Sequence, residues 1–334
     1  MYLYEKKDEN MKIKKITGQS LYGEIDFQWE FDPQVNILAG INGSYKTTLL
    51  NIVKQVTNHE DVGYPISHVV ADYTDGIRLS YVRRESDVKS ILENREANRV
   101  IVERIEKDHP EWLKDGSMNN VQLAIVSYRE EKDGRRLDQK AYEEGKRIDY
   151  VNTFDVVSDR DKETVLNAKL RSLREQYAYY LSDLARQISD KVKESGNVSK
   201  KEMEAINRDH DEFISIVNEM FKVTGKTLSD NESNLVFVMD GRKRISLFNL
   251  SAGEKQLLII LLTTLLERRQ EYILIMDEPE ISLHIDMQYT LIDNLLKLNP
   301  NVQLIVSTHS PSIFGARWGD KVVYSEDLVE NHGR

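Results

Sequence analysis

The sequence lacks cysteine, is poor in proline and has no long apolar run. Without cysteine among its 334 residues it can form neither disulfides nor thiolate metal sites, which predicts a protein of the reducing cytoplasm. The longest apolar run, residues 257–262, is far shorter than the roughly 20 residues that span a bilayer. The N-terminus also lacks the apolar segment of a signal peptide. We therefore predict a cytoplasmic protein with no membrane partner.

A strongly basic charge is also absent. The chain carries 46 Lys and Arg against 56 Asp and Glu, a net charge of −10, which argues against a surface generally coated with nucleic acid. The best basic cluster, residues 242–244, lies at the tip of a predicted hairpin, and the arginines between residues 83 and 104 are interleaved with glutamates. A local nucleic-acid contact stays an open but weakly supported alternative.

The pattern of apolar residues predicts an α/β protein. About the last hundred residues alternate between buried strands and helices, which favours a parallel sheet with helices on its faces. Apolar steps of three and four predict two helices, over residues 166–192 and 203–220, with a break at residues 195–197. We predict one head formed by residues 11–157 and 223–334, and an inserted helical hairpin or lateral subdomain at residues 158–222.

A glycine-rich turn follows a predicted strand and leads into a helix. It contains Gly40, Asn42, Gly43, Ser44, Tyr45, Lys46, Thr47 and Thr48. In the pattern Gly-x-x-x-x-Gly-Lys-Ser/Thr, successive backbone N–H groups and the helix N-terminus wrap phosphate groups. Lys46 would then reach the β- and γ-phosphates, and the Thr47 hydroxyl would bind Mg²⁺.

Tyr45 stands where this pattern has glycine. If the position needs a left-handed backbone, a tyrosine there costs on the order of 1–2 kcal/mol. The ring would also crowd the phosphates, so we expect a reduced affinity or turnover. By itself, the altered motif fits a plain glycine-rich turn about as well as a phosphate loop.

Two carboxylates end a buried strand in the second half of the chain. Asp277 fits the acid that holds Mg²⁺ through water, and Glu278 fits the base that polarises the attacking water. A plain acidic turn is the commoner interpretation of such a pair. Here a D-loop pattern follows at residues 279–284, and His309 ends the next buried strand, where a histidine that senses the γ-phosphate is expected.

Residues 250–256 read Leu-Ser-Ala-Gly-Glu-Lys-Gln and precede an apolar helix. With the phosphate loop, the acidic strand end and His309 in this order, the chain resembles the ABC-type ATPases of the SMC, RecF and overcoming-lysogenization-defect group. The resemblance covers about residues 11–57 and 235–324. It implies a P-loop NTPase fold, an ABC-type head with a mixed β-sheet and an inserted helical subdomain, which binds ATP and Mg²⁺.

In this group, ATP is sandwiched between two heads. The resemblance implies that Ser251, Gly253 and Glu254 contact the nucleotide that is bound by the partner's Lys46. It also implies that Lys46, Glu278 and His309 serve catalysis in their own pocket.

The sequence departs from the group's pattern at three places. Tyr45 replaces a glycine, and Ala252 stands where a second glycine is common. A Q-loop glutamine is not evident, and Asp155 is the candidate for the corresponding metal or water contact. Hydrolysis is therefore expected but is predicted to be slow.

Among its relatives, the chain looks most like compact ATPases of bacterial anti-phage systems such as PARIS and Septu. There the ATPase senses a trigger or holds a separate effector, and the effector, often a nuclease, is the toxic component. The resemblance implies a dimer or larger assembly around ATP and a separate effector partner. A RecF- or SMC-like DNA-repair ATPase is the alternative, and a transporter subunit is disfavoured because the helix after residue 256 is strongly aliphatic. A head that clamps ATP with little hydrolysis also stays open.

Overall fold

The protein is described here by a computed structural model. The described residues are 11–96, 98–108, 122–137, 148–151, 164–229, 235–239, 241–315 and 317–332. Within them, a mainly antiparallel layer packs beside a parallel sheet, with helices on both faces of the parallel sheet. No helix in this part of the chain is both long and apolar enough to cross a bilayer.

The antiparallel layer is built from strands with alternating burial. Ile25, Phe27 and Trp29 are buried while the residues between them are not, which is the alternation of a strand with one buried face. Within the described residues, the strands run in the order β15-β2-β1-β4-β5-β6-β7. They are β1 (Ile13–Leu21), β2 (Ile25–Glu30), β4 (His68–Tyr73), β5 (Ile77–Asp87), β6 (Gln122–Lys132), β7 (Arg135–Arg136) and β15 (Val329–Asn331).

The parallel sheet separates two hydrophobic cores. Its described strands follow the order β14-β3-β13-β12-β8 and pair in parallel. Side chains such as Ile273 and Ile275 enter the core below the antiparallel layer, whereas Leu274 and Met276 enter the core of the helical face. The strands are β3 (Val35–Ala39), β8 (Ile148–Val151), β12 (Tyr272–Asp277), β13 (Val302–Ser307) and β14 (Val322–Tyr324).

Strands buried on both faces explain the continuous apolar runs in the sequence. Their carboxyl ends meet at one edge, where the helices after β3 and β13 also begin. Ligands of such sheets bind at this edge. The helices packed on the sheet and beyond are α1 (Lys46–Thr57), α6 (Ala252–Leu266), α7 (Ile285–Leu298), α8 (Pro311–Phe314) and α9 (Ser325–Leu328).

The two predicted helices are confirmed as α4 (Val165–Ser195) and α5 (Lys200–Phe221). Gly196 ends α4 in a left-handed conformation, φ 76°. Arg268, just after α6, donates to Asp183 of α4 at 2.7 Å, and Arg269 donates to Asp209 of α5 at 2.7 Å. These ion pairs and a buried apolar stripe fix both helices to the helical core.

The remaining elements are short. Helices α2 (Val88–Glu93) and α3 (Arg99–Asp108) pack on a small separate core, and β9 (Lys226–Leu228), β10 (Val236–Met239) and β11 (Lys243–Ser246) form an antiparallel sheet that includes the predicted hairpin. Strand β8 starts at Ile148 because it pairs with β12 from Ile273 onwards. Asp155 lies outside the described residues.

Candidate functional site

The glycine-rich turn at residues 40–45, called the phosphate turn below, connects β3 to α1, as the motif predicts. Three of its residues have a left-handed backbone. Gly40, Gly43 and Tyr45 have φ values of 150°, 84° and 67°. The position occupied by Tyr45 therefore does need a left-handed backbone, at a cost of about 1–2 kcal/mol for a residue with a side chain. At Gly40 a Cβ atom would collide with the hydroxyl oxygens of Ser44 and Ser325, so only glycine fits there.

The Tyr45 ring does not close the turn. It is 36% exposed and packs against Tyr22, with ring centroids 6.1 Å apart. Tyr22 in turn makes an edge contact with Tyr64 at 6.5 Å. The ring therefore forms part of an aromatic wall beside the turn, to which the β1–β2 connection contributes Tyr22.

Lys46 points back into the phosphate turn. Its residue is only 5% exposed, and Nζ donates to the carbonyl oxygens of Gly40 at 3.1 Å and Ile41 at 2.9 Å. Burial lowers the pKa of Lys46, and the nearby carboxylates of Glu278 and Glu326 oppose this effect. The ammonium group thus lies among acceptors at the base of the turn, where a phosphate oxygen would add a further partner.

The turn is also held from outside by the C-terminal segment. Ser325 donates to the Ser44 hydroxyl at 2.6 Å, and the Ile41 N–H donates to Glu326 at 3.2 Å. Hydrogen bonds from backbone N–H groups, its own and that of Ile41, lower the pKa of Glu326. Sequence reasoning missed both residues because no local motif relates them to a turn almost three hundred residues earlier.

Oxygen ligands for a cation meet between the phosphate turn and the end of β12. The Thr47 hydroxyl lies 3.4 Å from Asp277 Oδ1, and the Ser307 hydroxyl donates to the same oxygen. Asp277 is buried, with 7% of its surface exposed. Mg²⁺ takes few protein oxygens and completes its shell with phosphate and water, so one hydroxyl and one carboxylate fit this ion. No group of three or more His, Asp or Glu side chains suited to a metal occurs among the described residues.

Glu278 and His309 meet across the ends of β12 and β13. His309 Nε2 lies 3.2 Å from Glu278 Oε1, and both side chains are partly exposed. Glu278 has a left-handed backbone, φ 48°, fixed by its N–H bond to the Ser307 carbonyl at 3.0 Å. Non-glycine residues held in this conformation are characteristic of functional sites.

These groups surround a cleft of about 650 Å³. From the predicted site residues it gathers Asn42, Gly43, Ser44, Tyr45, Lys46, Thr47, Thr48, Glu278 and His309. Tyr22, Glu24, Ile25 and Asn331 complete its lining and were not predicted. Gly40 lies instead beside a neighbouring cleft of about 470 Å³, and the buried Asp277 lies behind Thr47.

The turn at residues 250–256, called the signature turn below, lies away from this cleft. None of Ser251, Gly253 and Glu254 lines the cleft. Ser251 is exposed and caps α6, accepting from the Glu254 N–H at 3.3 Å, while the Ser251 N–H donates to Glu254 at 2.9 Å. The Glu254 carboxylate also accepts from Lys226 at 2.5 Å. Burial would raise the pKa of Glu254, but the hydrogen bonds from Lys226, Thr224 and Ser251 outweigh it and leave the pKa lowered. Its side chain is therefore committed within its own chain.

The signature turn packs on the D-loop, residues 279–284. A Cβ atom on Gly253 would collide with the backbone carbonyl of Ser282, which has a left-handed φ of 69°. Gln256 donates to the Pro279 carbonyl at 3.4 Å. The glycine of the motif is thus required by a backbone contact inside the chain.

The other polar features have structural partners. Arg95 pairs with Glu106 at 3.1 Å and Arg99 with Glu103 at 3.7 Å, which confirms the expected salt-bridged face. Tyr177 and Tyr180 are buried in the helical core, whereas Tyr179 is exposed. Arg242 and Lys243 are exposed at the hairpin tip.

Comparison with known proteins gives one family and one curated relative. Residues 35–315 match the family described as "AAA domain, putative AbiEii toxin, Type IV TA system". A 102-residue segment is 33% identical to "Retron Vc95 probable ATPase" of Vibrio cholerae serotype O1 biovar El Tor. That match covers 27% of this chain and only 20% of the relative.

Solved structures give the fold. An SMC head bound to the C-winged helix domain of ScpA aligns over 93% of this chain and 94% of its own, with 13% identity and a TM-score of 0.50. An SMC head domain from Thermotoga maritima covers 91% of each chain, with 14% identity and a TM-score of 0.43. A RecF–ATPrS structure covers 97% and 98%, with 13% identity and a TM-score of 0.39. The first likeness shows that the α/β architecture is that of an ABC-type P-loop head.

Proposed function

The chain belongs to the AAA domain family described as "putative AbiEii toxin, Type IV TA system", and from that premise we propose that it binds and hydrolyses ATP and assembles around it. One observation carries the proposal. The phosphate turn, Lys46, Glu278 and His309 converge on a single cleft at the carboxyl edge of the parallel sheet. ATP would bind there with its phosphates on the N–H groups of the turn.

Cation binding follows from the same geometry. Thr47 and Asp277 would hold Mg²⁺, which neutralises charge on the phosphates when bound. Lys46 would exchange a carbonyl partner for a phosphate oxygen, since it already lies at the base of the turn. The Tyr22 and Tyr45 rings would flank the nucleotide from the exposed side.

Hydrolysis is assigned to Glu278 and His309. Glu278 would accept a proton from the attacking water, as a general base placed at the end of a strand beside the phosphates. His309 lies within hydrogen-bond distance of this carboxylate and would contact the γ-phosphate as it leaves. The strained Tyr45 in the phosphate turn supports a slow turnover.

Assembly around ATP is supported by the position of the signature turn. Ser251 and Ala252 are exposed at the start of α6, but they do not line the cleft of their own chain. The exposed Ser251 hydroxyl is held on a rigid helix end and can donate to a phosphate oxygen of a nucleotide held by a second copy. We therefore propose a homodimer or larger assembly closed by ATP.

The biological role that we propose is regulation of a separate effector in bacterial anti-phage defence. The support is the sequence identity to a retron ATPase, which is limited to 102 residues. In this role the ATPase senses or holds, and the effector delivers toxicity. A gene for a nuclease or another toxic protein beside the gene for this chain would support the assignment.

An SMC- or RecF-like function on DNA is the second candidate. The exposed Arg242 and Lys243 at the hairpin tip favour it. Purified protein that binds duplex DNA with a steep salt dependence would support this candidate over the first.

Ser251→Arg tests the assembly. The bulky cation should weaken ATP-driven association on the order of 10-fold or more while leaving ATP affinity of the isolated chain nearly unchanged. Ser199→Arg is a matched control, because Ser199 forms an equivalent capping box with Glu202 at the exposed start of helix α5. Light scattering with and without ATP measures association. Association of Ser251→Arg equal to that of Ser199→Arg would contradict the model.

Glu278→Gln tests the catalytic assignment. The amide cannot accept the proton, so phosphate release should fall on the order of 100-fold or more, whereas ATP binding persists. The ATP-bound assembly should then last longer than in the wild type. Normal turnover in this variant would show that another group is the base.

A further inference from the structure

We propose that Glu280 is a positioning residue that holds His309 beside Glu278; the proposal rests on the ATPase function above. Glu280 belongs to the D-loop and was not among the predicted site residues. Its side chain does not line the nucleotide cleft, and its effect is exerted through the turn that carries the histidine.

Three donors from the histidine turn, residues 308–310, converge on one carboxylate oxygen. Glu280 Oε1 accepts from the Thr308 hydroxyl at 2.7 Å and from the backbone N–H groups of His309 at 2.7 Å and Ser310 at 3.2 Å. Bonds from neutral donors to a carboxylate are about twice as strong as bonds between neutral groups. This one oxygen therefore contacts His309 and the residue on each side of it, and it is the acceptor of the His309 N–H.

A second contact supports the same turn. Gln288 of α7 donates to the Glu280 carbonyl at 3.3 Å and accepts from the Ser310 hydroxyl at 2.8 Å. The D-loop and the histidine turn are thus joined through a side chain in addition to the carboxylate. The Gln288 amide alone reaches only the far end of the turn, so it cannot replace the bonds to Thr308 and His309.

The position of Glu280 relative to the reacting groups explains why this matters. Glu280 follows Glu278 by two residues, and His309 Nε2 lies 3.2 Å from Glu278 Oε1. The same short segment thus carries the proposed base and the acceptor that orients the proposed γ-phosphate contact. Because catalytic groups must be held within a fraction of an ångström, a loose histidine turn should lower turnover more than nucleotide binding.

The two carboxylate oxygens of Glu280 differ in their contacts, and this difference determines which substitutions test the proposal. Oε2 is buried and accepts no hydrogen bond from the described residues, so only one oxygen of the carboxylate is engaged. A glutamine can keep the engaged oxygen as an amide carbonyl. An alanine leaves the Thr308 hydroxyl and the His309 N–H without this acceptor, whereas the Ser310 N–H keeps its bond to the Thr308 hydroxyl at 2.9 Å. The pair Glu280→Gln and Glu280→Ala therefore separates loss of charge from loss of the acceptor.

The test is a double-mutant cycle on the full chain. Glu280→Ala should lower kcat on the order of 10-fold or more, with the dissociation constant for ATP within about 2-fold of the wild type. In a His309→Ala background the same substitution should change kcat by less than about 2-fold, because its effect is carried by the histidine. Glu280→Gln should retain most of the activity. The control is Glu204→Ala, which removes an exposed glutamate paired with Lys200 on α5.

Hydrogen exchange gives a readout that does not depend on hydrolysis. Amides of the histidine turn should exchange faster in Glu280→Ala than in the wild type, in Glu280→Gln or in Glu204→Ala. Equal losses of kcat with and without His309, or unchanged exchange in the turn, would overturn the proposal. If the amides of the histidine turn exchange more slowly in the wild type than in Glu280→Ala, but the wild type hydrolyses no ATP, the proposed function is overturned instead.

Discussion

The phosphate turn and the signature turn each lead into a helix, but only the signature turn caps the N-terminus of its helix with a side chain. Tyr45, the N-cap of α1, makes no side-chain capping bond in the described structure, and Asn42 and Gly43 are exposed. Ser251, the N-cap of α6, forms a complete capping box with Glu254. An uncapped helix N-terminus leaves N–H groups available to bind an anion. At a capped N-terminus, the capping side chain already accepts a hydrogen bond from one of these N–H groups.

The difference separates ligand binding from stability. The phosphate turn is strained and open, so its residues are expected to contribute to binding. The signature turn is internally bonded and packed on the D-loop, so most of its residues are expected to stabilise the fold, and only the exposed Ser251 and Ala252 are left for contact with another molecule.

Glu254→Ala should have the largest effect on stability. Removal of one partner from a buried ion pair leaves Lys226 without its carboxylate and should lower the free energy of unfolding by about 3–5 kcal/mol. Glu202→Ala removes the equivalent capping-box glutamate from an exposed site, where water screens its charge, and should lower the free energy of unfolding much less. Urea unfolding of both variants measures the difference. Similar losses would contradict the distinction between the two turns.

The stabilisation that Glu254 provides should also depend on pH. The folded pKa of Glu254 lies below its ordinary value of 4.5, because its hydrogen bonds outweigh the effect of burial. Its stabilisation is therefore present above pH 4.5 and is lost as the pH falls through the lowered pKa. The gap in unfolding free energy between the wild type and Glu254→Ala should accordingly narrow below that pH. A gap that stays constant in this range would mean that the carboxylate charge is not what stabilises the turn.

Gly253→Ala should have a smaller but clear effect. The added methyl group meets the backbone of Ser282, which cannot change rotamer, so we expect a loss of about 1–3 kcal/mol. Gly319→Ala is the matched control, because no heavy atom lies near its added Cβ, and it should stay within about 0.5 kcal/mol of the wild type. Equal unfolding midpoints for the two variants would show that the D-loop can move aside.

Tyr45→Gly should have the smallest effect on stability, and in the opposite direction. Glycine relieves the left-handed strain but loses the Tyr22 contact and gains freedom in the unfolded chain, so a net gain of at most about 1 kcal/mol is expected. Tyr45→Phe keeps ring and backbone and should match the wild type. ATP hydrolysis measured beside unfolding shows what the ring does to turnover; an unchanged rate would mean that it is harmless.

Local motifs predicted much of this molecule. The phosphate turn, the acidic strand end and the two long helices follow from patterns of a few neighbouring residues, and even the left-handed backbone at Tyr45 could be anticipated from the missing glycine. Asn331 and Tyr22 could not be placed in the cleft, because pairing of β15 with β2 brings together segments at opposite ends of the chain. The bond of Lys226 to Glu254 was missed because no local motif relates residues that are 28 positions apart.

Gly253 and Ser282 meet backbone to backbone, with no side chain between them that could rearrange. An inward displacement of either segment must therefore displace the other. Ser282 lies four residues after Glu278, so the signature turn is connected through the D-loop to the segment that carries Glu278. In a symmetric pair, such a connection would make the two pockets fill and empty cooperatively instead of independently.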